Sequence, residues 1–113
     1  MKMSELAPVI RSKNAGPYWF TVDIIFDSLA IYNAVKKLNV INKEVIAKIY
    51  NNRDLNDVSD VIYFDAGKAI KFNVRRPHSS GSPYDTDVLG MQQHAPVLEI
   101  DVPLHSIFTQ LQV

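Results

Sequence analysis

The side chains best able to do chemistry are concentrated between residues 75 and 96. The stretch "RRPHSSGSPYDTDVLGMQQHAP" holds two of the chain's four glycines, three of its six prolines and two of its three histidines. Within it His78, Asp85, Asp87 and His94 follow an H-x6-D-x-D-x6-H spacing. Imidazoles and carboxylates of this kind ligate Zn, Mn or Fe, or move protons near neutral pH. The spacing matches no established metal motif, so neither a metal nor any other cofactor is identified. Three roles suit the stretch: a metal site, a contact for an organic ligand or substrate, and turn-making alone. His94, Asp87 and Asp85 are candidate catalytic groups, with His78 and Gln93 as ligand contacts. Alternatively, Asp85, Thr86 and Asp87 bond nearby backbone N–H groups and serve only to make turns. His105 and Tyr84 carry no distinguishing context.

A second candidate lies in "RSKNAGP", residues 11–17. Arg11 can grip a carboxylate or phosphate with parallel hydrogen bonds, Lys13 adds a point charge, and Asn14 and Gly16 suit a turn that offers backbone donors. The glycine, lysine and hydroxyl pattern of a phosphate-binding loop is missing. A solvated basic turn explains the same residues. Arg75 and Arg76, where a later strand enters the long loop, extend the segment into a basic, histidine-bearing rim for a small anion if the two regions meet.

These residues must be positioned by the elements around them. "YWFTVDIIF" (18–26) alternates Tyr18, Phe20, Val22, Ile24 and Phe26 on one face, which predicts a strand. Its other face, with Trp19, Thr21, Asp23 and Ile25, is too apolar for open water and implies partial cover. Trp19 and Ile25 are therefore the candidate interface residues, and Asp23 is expected to pair with Lys71 or Arg75. Ile31, Val35 and Leu38 recur at helical spacing over 28–38, with Asp27 or Ser28 as cap and Asn39 as stop. A second helix over 43–50 is capped by Asn42. Residues 51–57 read as turn. Residues 58–64 and 68–75 form a hairpin about 65–68, and "VLEIDV" (97–102) alternates as a last strand. Residues 103–113 suit a short helix or an added edge strand.

That order predicts a single α+β domain over residues 1–113. The expected fold is a two-layer α/β sandwich, a ferredoxin-like variant with a mainly antiparallel four-stranded sheet, helices on one face and a long loop replacing the second helix. The open face would collect Asp23, Lys71, Arg75, Glu99 and Asp101. Twelve basic and twelve acidic residues cancel, which disfavours nucleic acid and anionic membrane as partners. No cysteine is present, so a disulfide framework and thiolate metal sites are excluded. No run approaches the roughly 20 apolar residues of a membrane span. A cytoplasmic setting is expected.

On "RSKNAGPYWFTVDIIF", "AIKFNVRRP" and "SGSPYDTDVLGMQQHAP", the chain resembles a family of short prokaryotic proteins described as a domain of unknown function, over about Leu6 to Pro103. Leu89 stands where the family pattern leads one to expect an aromatic ring. The resemblance implies a ferredoxin-like fold and a small companion, separate or fused, of large proteins similar to acyclic terpene utilisation protein A. It brings no reaction or catalytic residue. Two functional expectations follow. One is an accessory subunit of a larger metabolic enzyme, docked through Trp19 and Ile25 and contributing the long loop to a shared site for an acyl or carboxylate substrate. The other is an independent, homo-oligomeric enzyme or binding protein for a small anion or metal, joining Arg11, Lys13 and Asn14 to Asp85, Asp87 and His94.

Overall fold

A computed structural model describes residues 1–50, 54–76 and 95–103. The elements run α1 (Met3–Leu6), β1 (Val9–Asn14), β2 (Trp19–Ile25), α2 (Leu29–Leu38), α3 (Lys43–Ile49), β3 (Ile62–Phe64), β4 (Ala69–Arg75) and α4 (Ala95–Leu98), with 3-10 turns at Leu55–Asp57 and Asp65–Gly67. The strands form one open sheet in the order β1-β2-β4-β3, and every neighbouring pair is antiparallel. The expected small α+β fold is present.

The alternation in β2 sets the layers. Phe20, Val22 and Ile24 are buried, as are Ile70, Phe72 and Val74, their partners across β4. The two helices close this face: Phe26 meets Tyr32 of α2 with ring centroids 6.0 Å apart, and Phe20 meets Tyr50, just after α3, at 5.4 Å. Removing each large apolar side chain from water stabilises the fold by roughly 1.5–3 kcal/mol. The caps read from the sequence are in place. Ser28 Oγ accepts from the Ile31 N–H at 3.3 Å, and Asn42 Oδ1 accepts from the Val45 N–H at 2.9 Å. Asn39 ends α2 in the left-handed region at φ 53°, which a short polar side chain tolerates.

Three segments depart from expectation. The strand expected over 58–64 is reduced to Ile62–Phe64, with Val58 making one isolated antiparallel bridge to Val74. Arg11, Lys13 and Asn14 are not in a turn ahead of the first strand: they belong to β1, an edge strand, and the turn is Ala15 to Tyr18, with Gly16 at φ +90°. Residues 97–102 do not form a strand of the sheet. Ala95–Leu98 is a helical turn, and the segment after it clasps the N-terminus, with the Met3 N–H donating to Ile100 O at 2.8 Å and the Val102 N–H to Met1 O at 2.7 Å. Helical spacing explains this: Val97 and Ile100, three apart, both enter the core beside Met3 and Leu6. Glu99 and Asp101 consequently lie off the open sheet face; Glu99 instead pairs with Lys2. From β2 through the helices to β3, with β4 inserted between them, the connection is the split crossover of ferredoxin-like folds. On the other side of β2, β1 supplies the antiparallel edge strand.

Candidate functional site

Cross-strand register divides the face away from the helices into rows. Val9, Ile25, Ala69 and Phe64 make an apolar row through all four strands. The next row is Arg11, Asp23, Lys71 and Ile62, followed by Lys13, Thr21 and Asn73, and then by Trp19 opposite Arg75. Adjacent rows are two residues apart along each strand, about 7 Å. Phe64 and Ile62 are 60% and 56% exposed, unusual for large apolar side chains lying side by side.

The ionic row is centred on Asp23, which is buried. Its Oδ2 accepts from Arg11 Nε at 3.4 Å and its Oδ1 lies 3.7 Å from Lys71 Nζ. The Lys71 pairing expected from the sequence is present, and Arg11 is added to it. All four residues of this row, together with Ile25, Phe64, Gly67 and Ala69, line a depression of about 510 Å³. A Cβ on Gly67 would come 2.8 Å from Phe64 Cδ1, so the glycine lets the ring lie close over the turn.

At the other end, the Trp19 ring is stacked under Arg75, whose guanidinium carbon is 4.8 Å from the ring centroid. Arg75 also pairs with Asp57 at 3.2 Å. This accounts for part of the cover expected over Trp19. Arg76 is buried, donating its backbone N–H to Tyr18 O at 2.7 Å and its guanidinium to Asn14 Oδ1. The structure thus gathers Asn14, Gly16, Arg75 and Arg76 at one sheet end, with exposed Lys13 one row inward and Arg11 farther along, committed to Asp23. His78, Asp85, Asp87, Gln93 and His94 lie outside the described residues. Among the described residues no three His, Cys, Asp or Glu side chains converge as a metal site. None of the described helices is long and apolar enough to cross a membrane.

Ile62, Phe64 and Val9 were not singled out from the sequence. The signal was present for the first two: alternation in "IYF" puts Ile62 and Phe64 on the side opposite Tyr63, whose hydroxyl donates to Ile41 O at 3.1 Å beneath the sheet. A separate cluster ties α2 to the β3–β4 turn. The buried Tyr32 hydroxyl donates to Asp65 Oδ1 at 2.5 Å, and Lys36 Nζ to the same oxygen at 2.9 Å. The Tyr32 hydrogen bond, reinforced by Lys36, holds the Asp65 carboxyl below its ordinary range. Burial and the same carboxylate push the Tyr32 phenol up. This arrangement pins the β3–β4 turn.

No curated protein and no solved structure matches the chain. A family profile matches residues 3–101, a span that includes all four strands and all four helices of the described residues. The chain accordingly belongs to the family described as a domain of unknown function, DUF4387.

Proposed function

We propose that this protein is a small cytoplasmic accessory subunit that docks on a larger metabolic enzyme through its open sheet face, with residues 76–96 contributing to a shared site for an acyl or carboxylate substrate. The observation carrying this reading is the row Val9, Ile25, Ala69 and Phe64, extended by Ile62, on a face that neither long helix covers. Apolar surface of this extent favours burial against a partner. The lack of cysteine suits a reducing compartment.

The test is affinity purification of the tagged chain from its native host, with wild type, Ile62→Asp and Phe64→Asp compared. Both positions are exposed, so the variants should fold, as circular dichroism will verify. The expected result is a stoichiometric larger protein that both variants lose and that Leu29→Asp, on exposed α2 surface, retains. Recovery of the wild-type chain alone, or equal retention by all variants, would overturn the reading.

A further inference from the structure

The ionic row specifies what an occupant of the open face must offer. Asp23 is one carboxylate shared by two cations, and both keep donor capacity toward solvent. Arg11 engages it through Nε alone among the described residues, and Lys71 approaches no closer than 3.7 Å. Their side chains are 66% and 53% exposed, against 10% for Asp23. Across the face the strands supply four cations (Arg11, Lys13, Lys71 and Arg75) and the single Asp23 carboxylate. With Asp57 reaching over Arg75, the described residues of this face carry an excess of two positive charges.

A second copy of this chain is a poor occupant. A two-fold contact sets the same patch against itself, so that one net-positive patch meets another in a desolvated interface, which is unfavourable. Resting on the docking reading above, we infer that the occupant is a segment of the partner protein carrying an apolar side chain and a carboxylate about 7 Å apart. The apolar group enters the apolar side of the depression, at Ile25, Ile62, Phe64 and Ala69, and the carboxylate meets its charged side. The carboxylate completes the charge balance of Arg11 and Lys71. Positions i and i+2 on a partner strand meet this spacing, since a strand rises about 3.4 Å per residue. The apolar anchor supplies affinity and the carboxylate fixes register, the usual division between an interface core and its charged groups.

The test uses the purified isotope-labelled chain and a synthetic peptide with Leu and Asp at alternating same-face positions, separated by Ser. A counterpart with Lys replacing Asp and the small amphiphile octanoate are titrated beside it. The expected result is saturable amide shifts at Ile25, Ile62, Ala69 and Lys71 with the acidic peptide, and binding about tenfold weaker for the Lys peptide, for octanoate and for Lys71→Glu. Lys71→Gln, which drops the charge without reversing it, should fall between. Equal binding of both peptides, shifts confined to residues off this sheet face, or octanoate binding as tightly as the acidic peptide would each overturn the inference. So would shifts at the same residues on raising protein concentration alone, which would identify a second copy. If the complex forms through Phe64 while the peptides bind indifferently, this inference fails and the subunit reading stands. If the acidic peptide binds as expected and no partner is recovered, the subunit reading fails by itself.

Discussion

Asp65 gives the most direct pH-dependent prediction. Its carboxyl accepts from Tyr32 and Lys36 and titrates below its ordinary value of 3.8, the Tyr32 hydrogen bond being the main cause. A depressed folded-state value means that the unfolded chain takes up the proton first. The contribution is therefore complete above 3.8 and is lost as pH falls through the folded-state value. Asp65→Asn should flatten the acid limb of a urea-midpoint profile while leaving the other carboxylates to titrate. Tyr32 has the opposite sign: its raised phenol contributes fully below 10.0 and the contribution is lost as pH rises through the folded-state value. Tyr32→Phe should remove that alkaline loss. A mutant profile parallel to wild type in either range would refute the corresponding assignment. At Asp23 the two cations are largely solvated, so Asp23→Asn should cost only about 1 kcal/mol in urea unfolding.

At the scale of elements, the helices were legible because local chemistry fixes them. Ser28 and Asn42 accept the cap hydrogen bonds that their residue types imply, and Asn39 takes the left-handed stop. Ser28→Ala and Asn42→Ala should each cost about 1 kcal/mol in denaturant unfolding. The effects should add, since the two sites share no partner. The β3–β4 hairpin was legible for a similar reason: Lys68 occupies the left-handed position after a tight turn and delivers Ile70, Phe72 and Val74 inward. β1 was not. Of its residues on the covered side, Ile10, Ser12 and Asn14, one alone is apolar, so periodicity is faint and pairing with β2 makes it a strand. Residues 97–102 failed oppositely, because Leu98, Ile100 and Val102 alternate like a strand while Val97 and Ile100 satisfy helical spacing, and packing against Met3 chose the latter. On the candidate face, Asp23, Lys71, Trp19 and Ile25 were assigned correctly to one side. The apolar row was hidden because its members come from four strands, joined only by register.

Over the whole molecule, the core is closed by residues far apart in sequence. Met3 is fully buried and its N–H is bonded to Ile100, so the first turn packs on the last described segment. Met3→Ala should destabilise by about 2–5 kcal/mol, a large share of the 5–15 kcal/mol typical of a domain. A calorimetric midpoint unchanged by this substitution would show that the clasp adds little. The open face has a further consequence at this scale. Trp19 is the chain's single tryptophan and lies four residues along β2 from Asp23, about 14 Å at strand rise. Its intrinsic fluorescence is consequently a label-free ruler of coverage. A small occupant confined to the depression at Ile25 and Phe64 leaves its emission unchanged, whereas a partner spanning all four rows desolvates the indole, shifts the emission to the blue and shields it from an aqueous quencher.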